Sequence, residues 1–365
     1  MRRRSLWALA VFAAILTGWA GAQDTPKTAL LALSKQNHTL AIVDPANLRV
    51  VARIPVGEDP HEVVASADGT TAYVSNYGFG AFHTLAVIDL VGQKALPAID
   101  LGALRGPHGL VFEQGKVWFT AEAAKAIGSY DPAARKIDWI MGTGQNRTHM
   151  LYVFPDAKRI VTTNVNSATV TILDKTEGRA GGPPPGMPPA GGAPPGGERS
   201  PGMQPPPGPP PTPPGGDWQL TVIPVGKGSE GFDISPDGKE AWVGNSGDGT
   251  ISIIDLAAKQ VTATLTPHVR GANRLKFTPD GKLVLVSTLG GPELVILDAA
   301  THKEVKRILI GHGAAGIQIQ PDGLRAYVAC TPDGYIAVID LKTLEVVGHI
   351  DAGGGPDGLA WAVRR

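Results

Sequence analysis

Seven times along the chain an apolar pair, or a near equivalent, runs into an aspartate. The copies are Ile42-Val43-Asp44, Val87-Ile88-Asp89, Ser129-Tyr130-Asp131, Ile172-Leu173-Asp174, Ile253-Ile254-Asp255, Ile296-Leu297-Asp298 and Val338-Ile339-Asp340. Successive aspartates are 45, 42, 43, 81, 43 and 42 residues apart, and the long interval is close to one period plus a proline-rich tract. One unit of such a repeat is too small to bury its own apolar faces. A period of ~40–50 residues therefore marks stacked neighbours, in a propeller or a solenoid.

Each unit reads as four short strands. In the copy from Ser229 to Arg270 they run from Gly231 to Ile234, Glu240 to Gly244, Thr250 to Ile254 and Gln260 to Leu265. The turn Ser235-Pro236-Asp237-Gly238 joins the first two, because proline presets φ and glycine accepts a positive φ. Runs such as Leu283-Val284-Leu285-Val286 are apolar on both faces, as a sheet packed between two neighbours requires. The segment Pro356 to Trp361 matches only the start of a unit, and Leu30 to Gly57 matches only the remaining three strands. Together they supply one blade and remove an exposed sheet edge. The expected fold is all-β: a seven-bladed β-propeller of four-stranded antiparallel blades, closed by a composite blade, in a single domain over residues 28–365.

Two segments fall outside that pattern. Arg2, Arg3 and Arg4 precede an apolar stretch from Leu6 to Trp19, with Ala20-Gly21-Ala22 before Gln23. The stretch is short for a membrane span, so residues 1–22 read as a signal peptide. The protein is then expected in the periplasm, outside the cell or on its surface, with no membrane span after cleavage. Residues 178–217 hold 16 of the 32 prolines and almost no large apolar side chains. That composition predicts a disordered insertion within blade three, between its third and fourth strands.

Tyr73-Val74-Ser75-Asn76, followed by Val87-Ile88-Asp89 and the Pro-Asp-Gly turns, resembles the YVTN β-propeller repeat family. The resemblance covers roughly residues 28–175 and 217–365. It implies an exported or surface propeller. Related seven-bladed propellers include lactonase-like enzymes, the d1-haem domain of nitrite reductase, nitrous oxide reductase and quinoprotein subunits, so the fold alone selects no chemistry.

Mapping the histidines onto the repeat puts most of them on one face. His61, His108 and His149 share a register in three consecutive blades, and Glu230, Asn273, Ala315 and Asp357 follow in the others. Equivalent inner positions ring the central channel. Three neutral imidazoles there suit zinc, copper or iron, with Glu230 as a further carboxylate. Arg147 and Arg274, with Arg105 and Arg270, suit an anion instead. Asn76, Asn164 and Asn245 end second strands on the same face, with Glu122 near the equivalent place in blade two. The leading expectation is a binding module whose ligand or protein partner meets the channel mouth. The alternative is a metal- or cofactor-dependent enzyme using His61, His108 and His149, either a lactonase-like hydrolase with Glu230 or Glu122 as base or a redox protein. The seven aspartates of the repeat are expected to accept backbone hydrogen bonds in the turns that follow them.

The chain carries 33 basic and 33 acidic residues, and loss of the first 22 residues removes three arginines. No basic run stands out, which argues against nucleic acid as partner. Cys330 is the only cysteine, so no intramolecular disulfide staples the fold. A monomer stabilised by packing is expected. No nucleophile elbow, phosphate loop, haem-attachment motif or EF-hand loop occurs.

Overall fold

The structure, a computed structural model, describes residues 24–176 and 217–364. They form seven four-stranded antiparallel sheets, with two short 3-10 turns at Gly78–Gly80 and Val165–Ser167. Blade one consists of Pro60–Ala65, Thr71–Asn76, Thr84–Asp89 and Lys94–Asp100, from the axis outward. The inner strands of blades two to six are Pro107–Glu113, Thr148–Val153, Ser229–Ile234, Ala272–Phe277 and Ala314–Ile319.

The seventh blade is composite, as the repeat boundaries predict. Its inner strand Pro356–Val363 pairs with Thr28–Ser34, which is followed outward by Thr39–Asp44 and Arg49–Pro55. Leu30 lies opposite Trp361 and Leu31 opposite Ala360. Each inner strand touches those of the adjacent blades, and Pro356–Val363 touches Pro60–Ala65, so the ring is closed. Closure pairs Thr28–Ser34 on both sides, so its edge is not left open.

Seven apolar clusters fill the seven gaps between blades. Leu31, Leu33 and Ile42 pack on Val63, Val74 and Ile88 between the composite blade and blade one. Leu30, Ala41 and Val43 pack on Tyr327, Ile336 and Val338 on its other side. A strand must offer apolar side chains to both neighbours, which is why second and third strands are buried almost throughout while outer strands alternate.

The turns behave as their chemistry predicts. Asp237 accepts from the Lys239 backbone N–H at 3.1 Å, and Gly238 takes a φ of 72°. Six of the seven repeat aspartates accept backbone N–H groups in the following turn, as Asp44 does from Ala46 at 2.9 Å. Asp174 instead pairs with Arg159 and Lys259, both at 2.6 Å, and ties blade three to blade four.

The expected signal peptide lies outside the described residues. So does the proline-rich tract except Asp217. The strands that flank it, Thr169–Lys175 and Trp218–Pro224, are paired neighbours in blade three, with Lys175 opposite Trp218. No helix among the described residues is long and apolar enough to cross a membrane.

Candidate binding site at the channel mouth

The inner strands deliver His61, His108, His149, Glu230 and Asp357 at one level, and the middle three are held by the preceding blade. Ser75 donates to the His108 carbonyl at 2.9 Å, Thr120 to that of His149 at 2.7 Å, and Thr163 to that of Glu230 at 2.6 Å. In each case a second-strand hydroxyl grips the first strand of the next blade. Gly109 permits the close approach: a Cβ there would lie 2.7 Å from the His149 carbonyl oxygen.

His149 is the centre of the network. Its Nδ1 lies 2.5 Å from Glu122 Oε1 and its Nε2 lies 2.7 Å from Glu230 Oε2. Arg147 closes the loop, with Nε 3.4 Å from Glu122 and Nη1 3.8 Å from Glu230. Tyr77 donates to Glu122 Oε2 at 2.5 Å. Two ionised carboxylates are acceptors only, so bonding both calls for two N–H groups and thus an imidazolium. Burial opposes that charge, but the two carboxylates outweigh it and raise the His149 pKa above the ordinary value. Burial would likewise raise Glu122 and Glu230. The His149 bonds and Arg147 reverse the sign and hold Glu230 at about 2.

His108 is the opposite case. Its ring lies 3.7 Å from that of His149 and 4.2 Å from that of His61, centroid to centroid. It is 0% exposed, and neither ring nitrogen has a hydrogen-bond partner. Burial, reinforced by the charge of His149, keeps it far below the usual imidazole pKa and therefore neutral. A fully buried polar group without a partner is unusual and needs a physical account.

His61 turns to another group. It contacts Lys35 and lies 3.4 Å from Asp357, and Lys35 lies 2.8 Å from Asp59 and 3.2 Å from Asp357. Burial drives His61 down to about 4, with Asp357 opposing and Lys35 assisting. Beside it Glu62 of blade one bonds Arg274 of blade five across the channel.

The geometry thus divides the expected residues. His108, His149, Glu122, Glu230 and Arg147 form one cluster. His61 and Asp357 form a second, and Arg274 joins Glu62. Ligand atoms of His108, Glu122 and His149 lie within 4.8 Å of one another, a grouping in which Glu122 stands where the register alone puts His61. The three asparagines serve structure: Asn76 in the link into blade one, Asn164 and Asn245 in their own blades. Asn76 donates to the Val56 and Glu58 carbonyls, Asn164 to Thr169 and Thr171, and Asn245 to Thr250 and Ser252. Tyr77, Lys35, Asp59 and Glu62 complete the network without having been singled out by the repeat.

A cavity of about 340 Å³ opens beside this cluster, lined by Tyr77, Phe79, Glu122, Asn146, Arg147 and Asn166. Phe79 stands on its rim, 87% exposed and with a φ of 49°. An aromatic residue in the left-handed region is a strained arrangement. The 3-10 turn carrying it is fastened by the Gly78 N–H, which donates to Asp59 at 2.9 Å.

No family model and no curated protein matches the chain. Among solved structures, a functionally unknown protein from Desulfotomaculum acetoxidans DSM 771 superposes with a TM-score of 0.66 at 13% identity, covering 90% of this chain and 98% of that one. Hydrazine synthase from Kuenenia stuttgartiensis superposes with a TM-score of 0.66 at 16% identity, covering 90% of this chain and 99% of that one. At such identities the likeness is one of fold: this chain is a seven-bladed β-propeller.

Proposed function

We propose that the protein is a binding module that takes a small polar ligand at the channel mouth, in the cavity between Phe79 and Arg147. The observation that carries this is the buried His108–His149–Glu122–Glu230 cluster, which reaches the wall of that cavity through Glu122. Ionisable groups are costly to bury, and pre-organised polar groups converging beneath an aromatic rim are the usual make-up of a ligand site. Tyr77 and Phe79 supply ring faces, and Asn146 and Asn166 supply amides. On the same reading, Tyr73-Val74-Ser75-Asn76 and the Pro-Asp-Gly turns place the chain among YVTN-repeat propellers, exported by way of residues 1–22 and acting as a monomer. Lactonase-like hydrolysis or electron transfer has no observation of its own beyond the fold, which hosts unrelated chemistries.

The test is a thermal-shift screen of small amines, amides and carboxylates against the chelator-treated protein and its Phe79→Ala and Arg147→Ala variants. Compounds that stabilise the parent but neither variant support the reading. Compounds that stabilise all three equally, or none that stabilises the parent, reject this cavity as the site.

A further inference from the structure

The His108 side chain has a donor-and-acceptor ring sealed from water and nothing to bond. Its neighbours explain what would bond it. His149 already has the arrangement of a metal-ligating imidazole, with one nitrogen held by the outer carboxylate Glu230 at 2.7 Å and the other aimed at an inner carboxylate, Glu122. That outer-shell hydrogen bond is what fixes ring orientation and tautomer in metal-bound histidines. Glu122 Oε2 is occupied by Tyr77 and Arg147, and Oε1 faces His149 Nδ1, so a cation seated between these two atoms would replace their hydrogen bond.

Charge points the same way. The linked groups of the mouth hold five carboxylates, Asp59, Glu62, Glu122, Glu230 and Asp357, against three permanent cations, Lys35, Arg147 and Arg274. Two negative charges remain in excess, and one doubly charged cation brings that count to zero. It also gives His108 a partner.

We propose that His108, His149 and Glu122 bind one divalent first-row transition-metal ion, with Glu230 holding His149 from behind and a further coordination position open to the cavity. Two imidazoles and one carboxylate are a borderline donor set that suits zinc and its neighbours, whereas magnesium and calcium favour oxygen-only shells. The donor atoms lie within 4.8 Å of one another, and side-chain movements that part His149 Nδ1 from Glu122 Oε1, now 2.5 Å apart, and bring His108 in would allow bonds of about 2.1 Å. His61 is not a ligand, because its ring engages Lys35 and Asp357 instead. This inference rests on the binding reading for its location and names what makes that site competent.

The experiment is titration of the chelator-treated full chain with cobalt(II), read by visible absorption, then competition with zinc read by calorimetry. The expected result is one ion per chain for the parent protein. His108→Ala and Glu122→Gln should lose more than the ~10–100-fold in affinity expected for the outer-shell variant Glu230→Gln, and His61→Ala should bind as the parent does. His108→Phe keeps the ring volume without nitrogens, so it serves if the alanine variant does not fold. No stoichiometric binding by the parent, or a loss in His61→Ala equal to that in His108→Ala, overturns the proposal. The small-molecule screen is run in chelator, so its outcome is independent of this one.

Discussion

Arg274 of blade five and Glu62 of blade one, 212 positions apart in the chain, form an ion pair that spans the central channel. It lies beside the histidine cluster and links opposite sides of the ring. Arg274 Nη1 has no partner, and burial raises the Glu62 pKa despite its cation. The pair is thus held in a poorly solvated place. Removing one partner strands the other, whereas replacing both with apolar residues does not. Glu62→Met or Arg274→Met should each destabilise by about 3 kcal/mol, and the double variant Glu62→Met/Arg274→Met by less than the sum. Urea melts of the four proteins give the cycle. Additive losses would show that the two residues do not interact.

Closure of the ring depends on one backbone approach. A Cβ at Gly358 would lie 2.4 Å from the His61 carbonyl oxygen and 3.0 Å from Glu62 Cα, both backbone atoms that cannot turn aside. Gly358→Ala should lower the melting temperature markedly, by the ~1–3 kcal/mol typical of overpacking. Deleting residues 358–365 should be worse, since it removes most of the inner strand and exposes the edge of Thr28–Ser34. Soluble yield and thermal melts check both. A truncated chain that melts cooperatively would show that the composite blade is dispensable.

Excision of residues 180–215 is expected to do far less. The flanking strands are already paired, and Thr176 N–H donates to the Asp217 carbonyl at 2.8 Å, so the two ends of the excised segment meet. A short Gly-containing turn should join them with no loss of stability, and the closure term favours the shorter loop by up to ~2 kcal/mol. A fall of more than a few degrees in melting temperature would mean that the tract packs on the propeller.

Asp174 should make the protein sensitive to acid. Burial works against its charge, but Arg159 and Lys259 overcome that and lower its pKa below the unfolded value near ~3.9. A carboxylate lowered on folding contributes stability that is present above its unfolded pKa and lost as pH falls through the folded one. Asp174→Asn should cost about 1 kcal/mol at pH 7, a modest value because the pair is partly solvated. The gap between parent and variant should narrow below pH ~4. Melts from pH 7 to pH 3 check the sign, and a gap that widens in acid would contradict it.

The ring was readable from spacing because strand and turn lengths impose the period, and the aspartates that mark it cap turns in six blades. Register also brings His108, His149 and Glu230 to one level. What register does not encode is rotamer. His61 occupies the same position as His108 yet turns to Lys35, because Asp357 and Asp59 lie on that side. A second register was informative and easily passed over: Lys35, Tyr77 and Glu122 each directly follow a second strand, and all three reach the site. Glu62 and Arg274 sit where the inner strands of other blades carry Gly109, Gly231, Gly316 and Gly358. Their charge at a position that four blades give to glycine and blade three to Met150 is the trace that the ion pair leaves in the sequence.

Ser34 bonds the carbonyl of Gly354, 320 positions further on. A ribosome therefore delivers Thr28–Ser34 long before the segment that will pair with it exists. Six blades assemble from contiguous stretches of nascent chain, while the apolar side chains of Leu30 to Leu33 wait for a partner strand. Contacts of such long sequence separation form late, because their loop entropy is lost before they repay it. Completion of the circle is thus a late step of folding. The same step seats Asp357 beside His61, so the channel mouth is finished only when the composite blade has closed.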